Sequence, residues 1–296
     1  MGLSKKVWLV LGLVLLAVLL SYQFRLYIYG FIYQPQMFSE PVLDTQLNDD
    51  EIPADLGEIG ILSFSKTNGF RHHDAIAASR TLLDKLAEKN GWTVVHSENG
   101  AGFQSRILRR FHLIILNHKT GKTWTDAQRN AFREYIEAGG TVIAWHAAGD
   151  DSNHDWDWYQ NYFLRADFTN HPMDQHIQQA DLLVEDQSHP VTKNLPAVWS
   201  RADEWYNFAQ SPRDNTNVLI SIDENSYDPE KPQQEESEDD AGVAQEDTTK
   251  QDHPMVWWHR WGDGRIFYSA LGHTEQSYTE PLYIQFVEDA INWGLN

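Results

Sequence analysis

Short apolar runs that stop abruptly at polar residues constrain the fold of this chain more than any other feature. Residues 141–150 read TVIAWHAAGD, so that a β-branched apolar run gives way to His146. Two earlier runs end in a similar way, since GILSFS continues into Lys66 and HLIILN continues into His118. Each run has the length and composition of a buried strand. The sequence therefore predicts strands whose ends deliver polar side chains.

Helical patterns lie between these predicted strands. Residues 75–89 carry leucine and isoleucine at helical spacing, and residues 123–140 form a second amphipathic pattern with Thr125 as its N-cap. Strands that alternate with helices at this spacing form βαβ units, which predicts a mostly parallel sheet with helices on both faces. Ligands of such sheets bind at the carboxyl ends of the strands. We therefore expect one site at that edge, which the strands supply with Ser65, Asn117, His118 and His146.

The second half of the chain has a different rhythm. After Asp150, strand patterns follow one another with few helices between them, including a hairpin whose turn lies at residues 262–264. A final amphipathic helix is predicted over residues 281–295. This arrangement predicts that residues 57–296 form one α/β domain, in which the second half adds antiparallel strands to the same sheet.

Two segments are predicted to lie outside the packed core. Residues 34–56 are acidic and contain proline, which is typical of a linker. Residues 228–252 are acidic, rich in glutamine and free of large apolar side chains. Such a segment cannot bury enough surface to offset the entropy of ordering, so we expect a disordered surface insertion.

Composition excludes several functions. The formal net charge is −20, whereas nucleic-acid binding requires lysine and arginine to replace counterions on phosphates. The chain contains no cysteine, which excludes disulfides, thiolate nucleophiles and cysteine-ligated zinc. Because of the negative net charge, no nucleic-acid partner is expected.

The amino terminus predicts a membrane segment. Lys5 and Lys6 precede an apolar run that continues to Leu20, and Tyr22, Phe24 and Arg25 follow it. Residues 1–33 are therefore predicted to form an uncleaved signal anchor, with aromatic side chains at the lipid interface. The preceding lysines favour a cytoplasmic amino terminus, which places the globular domain outside the cytoplasm, in the periplasm or the extracellular space. A cleaved signal peptide is the alternative, and it predicts the same location for the domain.

Histidines at strand ends are the strongest candidates for catalysis. A neutral imidazole at His146 can accept a proton near physiological pH or ligate a metal, and His72 and His118 are expected to assist or orient. Asp203 and Glu204 are adjacent on a predicted strand, so only one of them can face the site, and Glu204 is the candidate acid or base. A zinc-like divalent ion is a further possibility, although no HxH or HExxH spacing is present. If a metal is bound, the predicted ligands are His72, His118 and His146.

Other polar and aromatic side chains near the predicted edge are candidates for substrate binding. The aromatic ones could stack on a sugar ring, but they could equally belong to the core. The histidines among them could equally be exposed turn residues. The predicted substrate-binding residues are Lys66, Trp145, Asp150, His171, Tyr206 and His273.

Several longer motifs together resemble the ThuA-like, or trehalose-utilisation, family. They are KTNGFRH at 66–72, GGTVIAWHAAGD at 139–150, NHP at 170–172, SHPVTKNLP at 188–196, DEWYNF at 203–208 and HPMVWWHRWGDGRIFYSALGHT at 253–274. The resemblance covers roughly residues 59–296 and implies a fold similar to class I glutamine amidotransferases, with a flavodoxin-like core. It also implies a role in disaccharide and glycoside metabolism, often alongside sugar dehydrogenases that make 3-keto sugars.

The resemblance leaves two classes of function open. One is an enzyme of the hydrolase, lyase or isomerase type, which processes a disaccharide, a glycoside or its keto form by acid/base or metal-assisted chemistry. Its partner would be a sugar oxidoreductase. The other is a non-catalytic carbohydrate-binding or scaffold protein tethered to the membrane. Glutaminase activity is excluded because no cysteine can form the thioester.

Overall fold

The structure is a computed structural model of the chain. It describes residues 24–296 except 49, 151, 153–154, 174 and 229–251, together with residues 6–7, 14, 16 and 20–22. The apolar run of the predicted anchor and nearly all of the predicted acidic insertion lie outside the described residues. Among the residues that are described, no helix is both long and apolar enough to cross a membrane.

The regular elements follow the predicted alternation in the first half of the chain. The helices are α1 (Arg25–Tyr33), α2 (His73–Asn90), α3 (Ser105–Leu108), α4 (Asp126–Glu137) and α5 (Pro281–Leu295), and a π-helix spans Tyr159–Leu164. The strands are β1 (Gly60–Phe64), β2 (Thr93–Ser97), β3 (Leu113–Asn117), β4 (Thr141–Trp145), β5 (Phe168–Asn170), β6 (Gln178–Val184), β7 (Val198–Asp203), β8 (Asn207–Phe208), β9 (Asn217–Ile222), β10 (Pro254–Trp261) and β11 (Gly264–Ser269). Short 3-10 turns include His146–Gly149 and Glu275–Thr279.

One mixed sheet organises the described part of the chain. Its nine strands lie in the order β2-β1-β3-β4-β11-β10-β9-β6-β7. The first five are parallel, and each remaining strand is antiparallel to its neighbour. The structure therefore confirms the predicted α/β fold, with a parallel core and antiparallel strands added by the second half.

Helices cover both faces of the parallel strands. In β1, β3 and β4 every residue is buried, as expected for strands covered on both sides. Phe64 stacks on Trp124 on the face where Phe132 of α4 packs. Leu113 and Ile143 point to the other face and contact Gly294 of α5. The alternation of side chains along each strand therefore divides the core into two layers.

Helix α4 begins as the sequence predicts. The Thr125 hydroxyl accepts a hydrogen bond from the Gln128 amide, and the Gln128 side chain accepts one from the Thr125 amide, which completes a capping box. The predicted hairpin between β10 and β11 is also present, with Gly262 in the left-handed region at φ 58°.

Residues 34–56, which the sequence predicts to be a linker, lie along the domain in the structure. Gln34 binds the backbone of Arg71 twice, because its Nε2 donates to the Arg71 carbonyl at 3.0 Å and its Oε1 accepts from the Arg71 amide at 2.8 Å. Asp44 accepts a hydrogen bond from the Gly100 amide at 2.9 Å. These bonds connect the segment to loops that follow β1 and β2.

The antiparallel half of the sheet curls back towards the parallel half. Asp203, the last residue of β7, accepts hydrogen bonds from the amides of Gly272 at 2.8 Å and His273 at 3.0 Å, which lie beyond β11. Three strands separate β7 from β11, so a flat sheet would hold them about 19 Å apart. Two register shifts interrupt the pairing of β9 with β10, and such irregularities bend strands.

Candidate functional site

Histidines lie just beyond the carboxyl ends of three neighbouring parallel strands. His118 follows β3, His146 follows β4, and His273 lies in the loop after β11. His118 and His146 both have left-handed backbones, with φ of 53° and 44°. This conformation costs a residue other than glycine about 1–3 kcal/mol, and such strain concentrates at functional sites. The backbone is therefore bent at the points where imidazoles leave the sheet.

Four side chains from distant parts of the chain converge at this edge. His72 lies at the amino end of α2, and Glu204 directly follows β7. With His146 and His273, they place one potential ligand atom each within 4.8 Å of all the others. We call these four residues the His–Glu cluster. Glu204 is 3% and His146 0% exposed, and His72 is also buried, whereas His273 is partly exposed, so the cluster lies just beneath the surface.

Three atoms of the His–Glu cluster are almost equidistant. His146 Nε2 lies 3.0 Å from His273 Nδ1 and 3.1 Å from Glu204 Oε2, and His273 Nδ1 lies 2.9 Å from the same oxygen. The other ring nitrogen of His146, Nδ1, lies 2.7 Å from the Ala270 carbonyl oxygen and donates to it. In the neutral imidazole this bond leaves Nε2 with a lone pair, which can accept a hydrogen bond from His273 Nδ1 or bind a cation, whereas donation to Glu204 requires the imidazolium form.

Glu204 is ionised in this environment. Burial alone would raise the pKa of its carboxyl group, but the contacts with His146 and His273 outweigh burial and hold the pKa well below its usual range. The second oxygen, Oε1, lies 3.2 Å from Nδ1 of His171. His171 therefore contacts the carboxylate from outside the His–Glu cluster, and the same nitrogen lies 3.1 Å from the Pro172 carbonyl oxygen.

Two of the histidines are held neutral. Burial, together with the neighbouring imidazoles, lowers the pKa of His72 and of His118 well below the usual value. His118 Nε2 lies 2.8 Å from the Tyr278 hydroxyl, which donates to the Gly272 carbonyl, so Nε2 carries the His118 proton. Among the described residues, Nδ1 of His72 and Nδ1 of His118 are buried without a hydrogen-bond partner. These two nitrogens lie beside the His–Glu cluster and are therefore available to a further ligand there.

Asp203 positions one of the ligands. Its carboxylate accepts from the amides of Gly272 and His273 and lies 3.1 Å from Nη1 of Arg201. Gly272 has φ 105°, and a Cβ there would collide with the Tyr283 hydroxyl. The sequence predicts that only one of Asp203 and Glu204 faces the site. In the structure Glu204 is a potential ligand, and Asp203 binds the backbone of the loop that carries His273.

Most of the sequence-predicted residues are close to one another. The predicted catalytic residues His72, His146 and Glu204 belong to the His–Glu cluster, and the His118 ring lies 5.5 Å from that of His72. His273, predicted to bind substrate, is a fourth member of the cluster. The contacts that the sequence could not indicate are those of His118 with Tyr278 and of Asp203 with the loop after β11.

Two predicted substrate-binding residues also lie against the cluster. The Tyr206 ring packs 4.3 Å from that of His146, and His171 contacts Glu204.

The other predicted substrate-binding residues are placed differently. Trp145 is 1% exposed and belongs to the core, because it is the last residue of a fully buried strand. Lys66 forms an ion pair with Asp44 at 2.7 Å. Asp150 accepts a hydrogen bond from the Ser152 amide, and its charge opposes the lowering of the Lys119 pKa by burial, so it lies near Lys119.

Comparison with known proteins agrees with the fold and with the motifs. A family model described as trehalose utilisation, ThuA, matches residues 60–294. The chain is similar to a solved ThuA-like protein from Bacteroides uniformis ATCC 8492, with 25% identity, a TM-score of 0.65, and coverage of 82% of this chain and 95% of that one. It also shares its fold with a ThuA-like protein from Parabacteroides merdae ATCC 43184, with 17% identity, a TM-score of 0.56, and coverage of 81% and 91%. No curated protein matches the chain.

The matched region begins at β1 and ends in α5, so it contains the whole sheet and every member of the His–Glu cluster. It covers well over half of the sequence. The chain belongs to the ThuA, or trehalose utilisation, family.

Proposed function

We propose that this protein is a metal-dependent enzyme that processes a disaccharide, a glycoside or its keto form at the His–Glu cluster. The observation that carries the proposal is the convergence of three imidazoles and one carboxylate just beneath the protein surface. This donor set is typical of zinc and of other borderline divalent ions. Membership of the trehalose utilisation family supports a carbohydrate as the substrate.

The spacing of the donors is close to that of metal ligands and equally fits hydrogen bonds, so the proposal rests on the identity of the donors. Ligands at 2.0–2.1 Å from a tetrahedral ion are about 3.3 Å apart. The three measured separations among His146, His273 and Glu204 are 2.9, 3.0 and 3.1 Å. His146 presents a lone pair to a nitrogen and to a carboxylate oxygen, an arrangement that a shared cation would stabilise.

The residues around the cluster would perform the remaining steps. A bound divalent ion would polarise a sugar carbonyl or lower the pKa of a water molecule. Nδ1 of His118 is a buried nitrogen whose lone pair can accept a hydrogen bond from a substrate hydroxyl, because Nε2 is occupied by the Tyr278 hydroxyl. Phe70 is 37% exposed with its ring 5.0 Å from that of His72, so it offers an aromatic face to a sugar at the mouth of the site.

The test measures metal content and turnover in the same protein. Untagged protein is analysed for bound metals, and a panel of disaccharides, glycosides and their 3-keto forms is examined by product analysis. The wild type should bind about one equivalent of a divalent ion and convert at least one panel member, whereas His146→Ala should lose both. His96→Ala is the control, because His96 lies on the edge strand β2, where it pairs with Asp84 and not with the His–Glu cluster. Metal-free wild-type protein that still turns over a sugar would refute the proposal.

The non-catalytic alternative predicts a different outcome of the same experiment. A carbohydrate-binding or scaffold protein would bind members of the panel, detected by thermal shift, without forming a product. The left-handed backbones of His118 and His146 and the buried, ionised carboxylate of Glu204 favour catalysis. Both features cost folding free energy, and binding alone does not require them.

We also propose that the domain is anchored to a membrane and lies outside the cytoplasm, where a sugar oxidoreductase could supply its substrate. The exposed apolar and aromatic side chains of α1 support this, since Tyr29, Phe31 and Ile32 are 52%, 67% and 61% exposed. Fractionation and protease protection in a bacterial host test the proposal. Recovery of the full-length chain in the soluble cytoplasmic fraction would refute it.

A further inference from the structure

A second cleft lies at the opposite edge of the sheet from the His–Glu cluster. Its volume is about 550 Å³, within the size range of small-molecule sites. Trp261 forms part of the cleft wall and pairs with Gly264 at the start of β11. The neighbouring Arg265 pairs with Thr141 at the start of β4. The His–Glu cluster follows the other ends of these strands, so five or six residues of strand, about 17–20 Å, separate the two sites.

The π-helix shapes one wall of this cleft. Tyr159 and Phe163 stack at 4.5 Å on the buried side, which leaves Gln160, Asn161 and Tyr162 as consecutive residues facing the cleft. Arg165 ends the helix with a left-handed backbone at φ 59°. π-helical turns and strained residues other than glycine are both enriched at functional sites. The strained backbone here lies far from the His–Glu cluster and calls for its own explanation.

The lining of the cleft indicates the chemistry of its ligand. Tyr162 is 49% exposed, and its ring lies 5.2 Å from that of Trp261 at an angle of 53°, so the two rings form an open corner. The Trp261 ring is fixed because its Nε1 donates to Glu137 at 3.2 Å. Arg165 and Asp167 also line the cleft and have opposite charges. Amide groups and ring faces with no net charge suit a neutral ligand with many hydroxyl groups.

We propose that this cleft is a second, non-catalytic site that binds a neutral oligosaccharide. The C–H face of a sugar residue would pack against Tyr162 and Trp261, and the Gln160 and Asn161 amides would bind its hydroxyl groups. Phosphorylated or sulfated ligands are disfavoured, because Arg165 is engaged by the Asn215 carbonyl and Asp167 balances its charge. The site would hold a glycan chain beside the enzyme without taking part in the reaction.

Isothermal titration of the full-length protein with maltotriose, cellotriose, mannotriose and trehalose tests the proposal. The titration is performed in the Glu204→Ala background, so that the cleft is measured apart from the His–Glu cluster. At least one of these sugars should bind. Tyr162→Ala should weaken its binding about tenfold, and Tyr162→Phe should retain it within about twofold, since the phenyl ring preserves the stacking face. Tyr162 is a surface residue, so neither variant should impair folding.

Phe70→Ala is the matched control, because Phe70 is an exposed aromatic residue beside the His–Glu cluster. It should leave binding to the cleft unchanged. Turnover of a small substrate should be unchanged in Tyr162→Ala with Glu204 intact. The proposal is overturned if none of the four sugars binds in the Glu204→Ala background. It is also overturned if binding responds to Phe70→Ala and not to Tyr162→Ala, which would place the sugar at the His–Glu cluster alone.

Discussion

The two halves of the sheet contribute different chemistry to the candidate site. The parallel half supplies imidazoles, because His118, His146 and His273 each follow one of its strands. The antiparallel half supplies carboxylates, since Asp203 and Glu204 lie at the end of β7. The imidazole donors thus lie at the carboxyl ends of parallel strands, whereas the position of the Glu204 carboxylate depends on how the antiparallel strands curve.

This difference indicates how such a site is assembled. The carboxyl ends of parallel strands are close together in any sheet of this type, so imidazoles placed there meet by topology alone. A carboxylate at the end of β7 lies four strand spacings from β11 in a flat sheet, so it reaches them only through curvature of the sheet together with the loop that follows β11. We therefore expect changes at the β7 end to have the largest effects.

The largest effect is expected from Glu204→Ala. Loss of a ligand from the cluster should weaken metal binding by more than about 100-fold, since even outer-shell changes weaken metal sites by 10–100-fold. Metal titration with a competing chelator measures this, together with turnover. Glu185→Ala is the control, because Glu185 is a surface carboxylate of the antiparallel half that pairs with Arg213 and contacts no member of the His–Glu cluster. Equal metal affinity in both variants would show that the antiparallel half supplies no ligand.

Asp203→Ala should have the second largest effect. The change leaves two backbone amides without their acceptor, while Arg201 keeps Glu280, so the free energy of unfolding should fall by about 3–5 kcal/mol. His273 should lose its fixed position, and metal affinity should fall about 10–100-fold. Asp203→Asn retains one acceptor oxygen and should recover part of both losses. Denaturant unfolding and chelator competition separate the two effects, and an unchanged metal affinity would contradict a positioning role.

Much of the parallel half could be predicted from the sequence. The period of apolar residues predicted β1, β3, β4 and the helices between them, and the alternation predicted that their ends meet. His72, His118 and His146 followed directly from that edge. The local sequence pattern was sufficient to predict this edge, because it is formed by strands that follow one another in the chain.

The antiparallel half could not be predicted to the same depth. Contact between Asp203 and the loop after β11 depends on the curvature of four strands and on register shifts, which leave no local signal. The resemblance of residues 203–208 to a family motif marked the segment but not its position. Likewise, Trp145 resembles a sugar-stacking residue in sequence, but the covered strand that carries it places it in the core.

The pH dependence of metal binding distinguishes the contributions of the two halves. Protons compete with a metal for its ligands, so affinity falls once the ligands protonate. Because the pKa of His72 lies well below the usual imidazole value of about 6.5, His72 stays available as a ligand below that pH. Metal should therefore be retained at pH 6.5 and released only well below that pH. Retention of bound metal after dialysis at each pH measures this, and full retention at about pH 3.5 would exclude the imidazoles as the main ligands.

The smallest expected effect concerns Lys119, which follows His118 in the parallel half. It is 1% exposed between the rings of Trp124 and Tyr159, and burial lowers its pKa from 10.5 to about 7, against the opposing effect of Asp150. Between these two values the unfolded chain binds more protons than the folded one, so stability should rise with pH. We expect an increase of about 1–2 kcal/mol in unfolding free energy from pH 7 to 9.

Lys119→Met should remove this increase, whatever its effect on stability at pH 7. Arg213→Met is the control from the antiparallel half, because Arg213 forms its ion pairs with Glu185 and Asp252 at the surface with 41% of its side chain exposed. A surface network of this kind contributes at most about 1 kcal/mol, so the control should preserve the pH-dependent increase. If the pH-dependent increase in unfolding free energy persists in Lys119→Met, the buried ammonium group of Lys119 is not its source.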